Sequence, residues 1–541
     1  MGSLSEARSR GQSSVLGTVL LVAIAVVLGS IVVVIGLGIF EEPVAVGQAS
    51  VQVEDGDQIV MVAASNVDEV YLRDETGTVH GRFESAGDSV SIDLLDPRRE
   101  YSVISVTDGR ENLVREITRS EIVGELSDPS ASPAAVAPGD IEGDGSKANP
   151  YVIRTDSELQ AVANESAEFD ADAYYRLGND IDASKTDQWD GGAGFDPIDD
   201  FAGTFDGDGN TIYGLTIDRS ENDDIGLFAR SSGTLADFSV EDFAVSGDGN
   251  VGGIVGVNTG TVESVSAGYQ IKNIYADAVV GNQNVGGLVG RNDGTVSNSF
   301  TTGEISGDGS EIAGLVGVNA GTVDGSYSTA TVTIDGLQDR HVAGLVGTND
   351  DGGTITDSYA TGDVTVTGVQ DDYPRVGGLV GENFGLIEGS YATGDVTGAD
   401  SPASSNHNYG GLVGINWGGT IGQSYATGDV ETDGRAGALV GRVSQLNGDG
   451  TATIVDSYAT GDVTSRSDAA GGLVGSVHGG YELDIERSFA VGAINGDDTG
   501  GVVGENNGDT DVTDVYWDTE TTGQGDAIGS GSALTGGGEE G

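Results

Sequence analysis

The sequence predicts a mainly β protein whose C-terminal two-thirds winds into a parallel β-solenoid, preceded by an apolar N-terminal α-helix and a small β-sandwich-like domain. Three observations predict it. A Gly-apolar-Val-Gly core recurs, ending at Gly256, Gly290, Gly317, Gly347, Gly381, Gly414, Gly441, Gly475 and Gly504, with gaps of 27 to 34 residues. A Ser-aromatic block follows most cores: Ser299-Phe300, Ser326-Tyr327, Ser358-Tyr359, Ser390-Tyr391, Ser424-Tyr425, Ser457-Tyr458 and Ser488-Phe489. Near the start, the 26 residues from Val15 to Phe40 carry no charge.

That run justifies the first element. As a helix it extends about 39 Å, beyond the roughly 30 Å hydrocarbon core of a bilayer, so it spans with some tilt. Arg8 and Arg10 precede it and Glu41 and Glu42 follow, which places the start in the cytoplasm and the bulk of the chain outside. The expected organisation is a charged leader at 1–11, an apolar helix at 12–42, a small β domain at 43–123 and a linker at 124–148. A solenoid cap and first coil at 149–218, the repeats at 219–535 and a tail at 536–541 complete it.

The stretch Arg10-Gly11-Gln12-Ser13-Ser14-Val15-Leu16-Gly17 followed by a Val/Ile/Leu run resembles the class III signal of archaeal type IV pilins and archaellins. The resemblance implies cleavage between Gly11 and Gln12, with Arg10, Gly11 and Gln12 as the processing site, and a helix that packs among pilin subunits in a filament. A plain single-pass anchor begins the same way.

In the β domain, Val51/Val53, Val90/Ile92/Leu94 and Tyr101/Val103 alternate with polar neighbours at the period of half-buried strands. Asp55-Gly56 and Asp108-Gly109 supply hairpin turns. His80, the domain's one histidine, reads as an ordinary surface or core residue. The stretch 124–149 lacks periodicity and is rich in small residues and Pro, as linkers are.

The repeat is long enough for one solenoid coil and shows no helical period. Stacked coils place like residues in columns. Asn stands two places after the core Gly at Asn258, Asn292, Asn319, Asn349, Asn383, Asn416 and Asn506, where amides can hydrogen-bond up the axis; Val443 and Val477 interrupt them. The glycines around Leu288, Leu315, Leu345 and Leu379 allow sharp corners or close backbone approach, and the inward face stays open because both faces read as apolar.

These blocks resemble the GLUG-motif family of bacterial and archaeal surface proteins. The lead-in also matches, through Asn149-Pro150-Tyr151, Leu177-Gly178-Asn179-Asp180 and Gly203-Thr204-Phe205-Asp206-Gly207, as does the closing Val515-Tyr516-Trp517-Asp518. A helix-like segment at 157–163, capped by Asp156 or Ser157 with Gln160, would cover the first strand edges.

Composition bounds the chemistry. Of 541 residues, 87 are acidic and 23 are Lys or Arg, three of them Lys, for a net charge of −64. Nucleic-acid binding is excluded as a partner class. Molar salt shortens the Debye length to about 3 Å and relieves the self-repulsion, so the composition is that of a protein living in brine. With no Cys, disulfides and thiolate metal sites are excluded.

No catalytic constellation stands out. The array has few Lys or Arg, not recurring at one face position, so the cationic clamp of a uronate lyase is not expected. Acid pairs such as Asp206/Asp208 and Asp371/Asp372 arise by chance in so acidic a chain. None of His80, His341, His407 and His478 begins an HExxH pair. The aromatic column from Phe300 to Phe489 reads as interior or groove stacking in preference to a sugar platform. The row Asp363, Asp395, Asp429 and Asp462 reads as a solvated face. Ca²⁺ is the one cofactor it could take, and no metal site is assigned. Asn164 heads the single glycosylation sequon.

The expectation is a haloarchaeal cell-surface, pilin-like adhesin or filament-associated protein, held in the membrane or a surface filament by its N-terminal helix, presenting an acidic solenoid for adhesion to a glycan or protein. The alternatives are a non-binding structural envelope module and a membrane-tethered carbohydrate enzyme.

Overall fold

The structure, a computed structural model, describes most of residues 48–117 and 140–540. Arg10, Gly11 and Gln12, the run Val15–Phe40, most of the expected linker, Asn164 and the pair Asp371/Asp372 lie outside the described residues. Among the described residues no helix is long and apolar enough to cross a membrane. The chain divides into two compact units, Met1–Glu125 and Leu126–Gly541.

In the first unit, strands β1 (Gln48–Glu54), β2 (Gln58–Ser65) and β5 (Ser89–Ser91) form one sheet. Strands β3 (Glu69–Asp74), β4 (Val79–Phe83), β6 (Tyr101–Thr107) and β7 (Arg110–Ile117) form another, in the order β4-β3-β6-β7. Both are antiparallel. Val51, Ile59, Met61, Val70, Leu72, Phe83, Val90, Tyr101, Val103 and Ile117 fill the core, drawn from alternate positions of strands in both sheets. His80 Nε2 lies 2.9 Å from the buried Asp74 Oδ2, and the imidazole meets Tyr101 edge-on.

The second unit is a parallel β-solenoid of about ten turns. One coil shows the plan. Thr354–Thr356 and Tyr359–Ala360 belong to a 25-stranded first wall, Val364–Thr367 to a second, Arg375–Gly377 to a ten-stranded third and Val380–Asn383 to an eleven-stranded fourth. Each strand pairs in parallel with its equivalent one coil away, as in Tyr327↔Tyr359↔Tyr391↔Tyr425. Leu288, Leu315, Leu345, Leu379 and the valines that follow them are fully buried, so this face of the Gly-Leu-Val-Gly unit points into one continuous core. The first coils fill that core with rings (Phe201, Phe205, Phe228, Phe238) and later ones with Val, Ile and Leu.

Parallel pairing begins early, with Tyr151–Ile153 on Tyr174–Leu177. Helix α1 (Asp156–Ala163) buries Leu159 in the solenoid core. Its cap differs from the expected one: Glu158 N donates to Thr155 Oγ1 (3.1 Å), and the Glu158 carboxylate accepts from Thr155 N (3.2 Å) and Arg154 N (2.6 Å). Because the helix starts at Asp156, the capping pair falls on Thr155 and Glu158. Gln160 is buried and bonds both ways with the backbone of Asp196. At the other end residues 535–540, read from sequence mostly as a tail, pair as a further strand with Asp511–Trp517.

Candidate functional site

Three turns of the coil carry columns of polar side chains that bond from one coil to the next. Asn258 Nδ2 donates to Asn292 Oδ1 (2.8 Å), Asn292 to Asn319 (2.8 Å), Asn319 to Asn349 (2.8 Å), Asn349 to Asn383 (2.9 Å) and Asn383 to Asn416 (3.0 Å). The column stops at Val443 and Val477, which pair with each other, and Asn506 bonds to Ser532 O and Thr510 instead.

A second column was not read from the sequence. Ser299 N donates to Ser326 Oγ, and the pattern continues through Ser358, Ser390, Ser424, Ser457 and Ser488 at 3.1–3.2 Å. Each hydroxyl also donates to the carbonyl two residues before it. The residue preceding each serine has positive φ, as at Asp357 (46°) and Gly389 (61°), which turns the strand so that the serine enters the corner. The recurring Ser was visible beside the aromatic; its inward orientation was not.

A third column holds the acids. Asp363 Oδ1 accepts from Asp395 N (3.0 Å), Asp395 from Asp429 N (2.9 Å), Asp429 from Asp462 N (2.8 Å) and Asp462 from Ala493 N (2.7 Å). Each carboxylate therefore binds backbone from the next coil. No group of three or more potential metal ligands occurs among the described residues.

The aromatic column lies outside the core, so of the interior or groove stacking expected, the interior form is not the one adopted. Phe300, Tyr327, Tyr359, Tyr391, Tyr425 and Tyr458 are half-buried and Phe489 is exposed, while the next residue in each strand is buried. The rings stack at 4.7–4.9 Å with planes within 5°. Their faces are covered by each other, leaving edges to solvent, so a sugar cannot lie flat on the inner members.

The nine core glycines explain a further feature. A Cβ on Gly414 would stand 2.6 Å from Val376 N and 2.7 Å from Gly381 O; one on Gly381 would meet Gly347 O at 2.7 Å. The outer faces of the third and fourth walls thus touch backbone to backbone, forming a crease with a glycine floor. Two columns of side chains flank it. One runs Asn284, Glu311, His341, Arg375, Asn408, Arg435; the facing one runs Arg291, Val318, Thr348, Glu382, Ile415, Arg442, Ser476, Glu505.

The crease corrects the reading that basic residues do not recur at one position. Eight Lys or Arg follow residue 250, and Arg291, Arg375, Arg435 and Arg442 stand in these two columns. The two columns meet across the glycine floor, where Arg375 and Glu382, seven residues apart, face each other with Arg375 Nη1 3.1 Å from Glu382 Oε1. Trp417 Nε1 also donates to that oxygen (2.5 Å), and the Arg375 guanidinium lies over the indole. His341 accepts at Nε2 from Arg375 Nη1, and its Nδ1 lies 2.8 Å from Thr348 Oγ1. Burial and then Arg375 hold its pKa down to about 3, so the ring is neutral. Glu311, 3.5 Å from His341 Nδ1, is pushed up to about 7 by burial and then by Glu382. Burial also raises Glu382, opposed by Arg375 and Trp417. Two coils further, Arg442 Nη2 lies 2.6 Å from His478 Nδ1.

These features define a repeat-built solenoid with a polar crease along one side. Within it, residues 281–306, 339–367, 372–397 and 405–431 match the GLUG motif, so these four segments are GLUG repeats. The chain is 40% identical over 135 residues, 23% of its length, to Halomucin of Haloquadratum walsbyi. It is 34% identical over 134 residues, again 23% of its length, to a protein of Evansella cellulosilytica described as a Gly-rich membrane protein. The matches span 2% and 15% of those two proteins. Among solved structures, a protein described as an immunoglobulin A1 protease from Bacteroides ovatus overlaps 74% of this chain and 86% of its own, at 18% identity and a TM-score of 0.26. An IgA1 protease overlaps 76% of this chain and 27% of its own, at 13% identity and a TM-score of 0.33. Overlaps this loose carry no statement about function.

Proposed function

We propose that the chain is a surface-displayed protein of a halophilic cell, held at the membrane or in a pilin-type filament by its N-terminal run, with the solenoid as the adhesive element. The observation that carries this is the uncharged run from Val15 to Phe40 between Arg8/Arg10 and Glu41/Glu42, ahead of a strongly acidic chain. Local identity to Halomucin and to a Gly-rich membrane protein supports the same placement. The solenoid supports contact with a partner because its columns repeat one side-chain type every 4.7–4.9 Å along a rigid axis. No catalytic role is assigned.

Two experiments test it. N-terminal sequencing of the exported protein should start at Gln12 if processing is pilin-like; Met1 or Ser3 removes that part. Deleting residues 149–541 should abolish attachment of cells to surfaces and to one another. Unchanged attachment would leave a structural envelope module.

A further inference from the structure

The arginines of the crease occupy an expensive position. Elsewhere on the solenoid basic side chains pair with the abundant surface acids: Arg466 with Glu431 and Asp433, Arg487 with Asp456 and Glu486. Arg435 and Arg442 instead face each other across the glycine floor within one coil. Arg435 Nε and Nη1, Arg442 Nε and Arg375 Nε are buried without a hydrogen-bond acceptor. Glu505 Oε2, two coils on, is 3.8 Å from Arg435 Nε, balancing charge without accepting that N–H. Between these levels the columns carry only the small side chains of Ala469 and Ser476. Burial and then Arg435 depress the Arg442 pKa to about 10. A desolvated guanidinium N–H with no acceptor is costly, and a ligand that supplies oxygen acceptors and negative charge removes that cost.

We propose that Arg435 and Arg442, with Arg375 alongside, form an oxyanion-binding site in the crease that takes a carboxylate or sulfate group, borne by a free small anion or by an acidic sugar. Ser476, buried one coil on from Arg442, adds a hydroxyl within the same column. Trp417, next to Arg375, supplies an aromatic surface beside the charges. The site is independent of the adhesive reading, since it concerns binding by the isolated protein.

The test is equilibrium dialysis of the purified full chain in detergent and molar chloride, with labelled sulfate, acetate, an oligouronate and a neutral oligosaccharide of equal length. The expected result is saturable uptake of the anionic probes and none of the neutral one. Arg435→Gln and Arg442→Gln should each weaken uptake about tenfold or more, while Arg466→Gln leaves it unchanged. Equal affinity for sulfate, acetate and oligouronate identifies a free anion as the ligand; a tenfold preference for the oligouronate identifies an acidic glycan. Should the arginine variants fail to fold, Glu505→Gln removes the competing carboxylate and is expected to tighten binding several-fold. The proposal is overturned if chloride saturates the site and excludes oxyanions, if the arginine variants bind like the parent, or if Glu505→Gln changes nothing.

Discussion

Asn349 sits in the middle of the amide column, and replacing it with Val tests what the column contributes. Its Oδ1 accepts from Asn319 Nδ2 at 2.8 Å and its Nδ2 donates to Asn383 Oδ1 at 2.9 Å. All three side chains are fully buried. The substitution removes two amide bonds at about 1 kcal/mol each and strands the Asn383 oxygen at a further 1–3 kcal/mol, about 3–5 kcal/mol in total. Asn383 Nδ2 and Asn319 Nδ2 keep their contacts to Gly385 O and Gly321 O, which limits the loss. Asn416→Val is the internal control. Asn416 ends the unbroken column against Val443, so its loss costs the ladder bond from Asn383 and the 2.9 Å bond to Gly419 O but strands no further amide oxygen, about 2 kcal/mol. Urea unfolding in molar salt reads the difference as a shift in midpoint. Hydrogen exchange by mass spectrometry resolves which coils open, since repeat arrays can lose cooperativity. If Asn349→Val costs no more than Asn416→Val, the column does not stabilise the fold by amide bonding.

Other outcomes follow from the same geometry. Gly414→Ala should destabilise by about 1–3 kcal/mol in the same urea assay, because its Cβ would stand 2.6 Å from Val376 N, whereas Gly525→Ala, with open space around it, should be nearly silent. Glu311 has a folded pKa of about 7 against an ordinary 4.5, so its contribution is complete below about pH 4.5 and is lost as pH rises through 7. Glu311→Gln should therefore raise stability at pH 8 by roughly 2–3 kcal/mol and do little at pH 4, read as the urea midpoint at each pH. Replacing Asp363, Asp395, Asp429 and Asp462 together by Asn keeps an oxygen for each backbone N–H and removes four charges. The melting temperature of this variant should fall less than the parent's when salt drops from about 1 M to about 0.1 M, where the Debye length grows from about 3 to about 10 Å.

The repeat was legible because glycine and asparagine each have one strong physical use here: close backbone approach for the first, axial amide bonding for the second. Serine was illegible as a ladder because it serves equally well facing solvent, and only the positive φ of residues such as Asp357 and Gln423 turns it inward. The crease was hidden more deeply. Arg375 reaches the column position of Arg435 through Asn408, at spacings of 33 and 27 residues, and connectors of unequal length conceal that register. Its facing partner is set by a fold of the backbone over glycine, which side-chain periodicity does not report. The aromatic column was visible, but its orientation depended on the buried residue beside it, Ala360 or Ser328, both small enough to read either way.

The unequal connectors carry a wider consequence. Between Val443 and Ser457 the chain has more residues than between Asn319 and Ser326, yet both coils keep their strands in step. Length can therefore be added or removed at the periphery without retuning the shaft. A lineage could redraw the outer contour of such a rod freely while inheriting its interior unchanged.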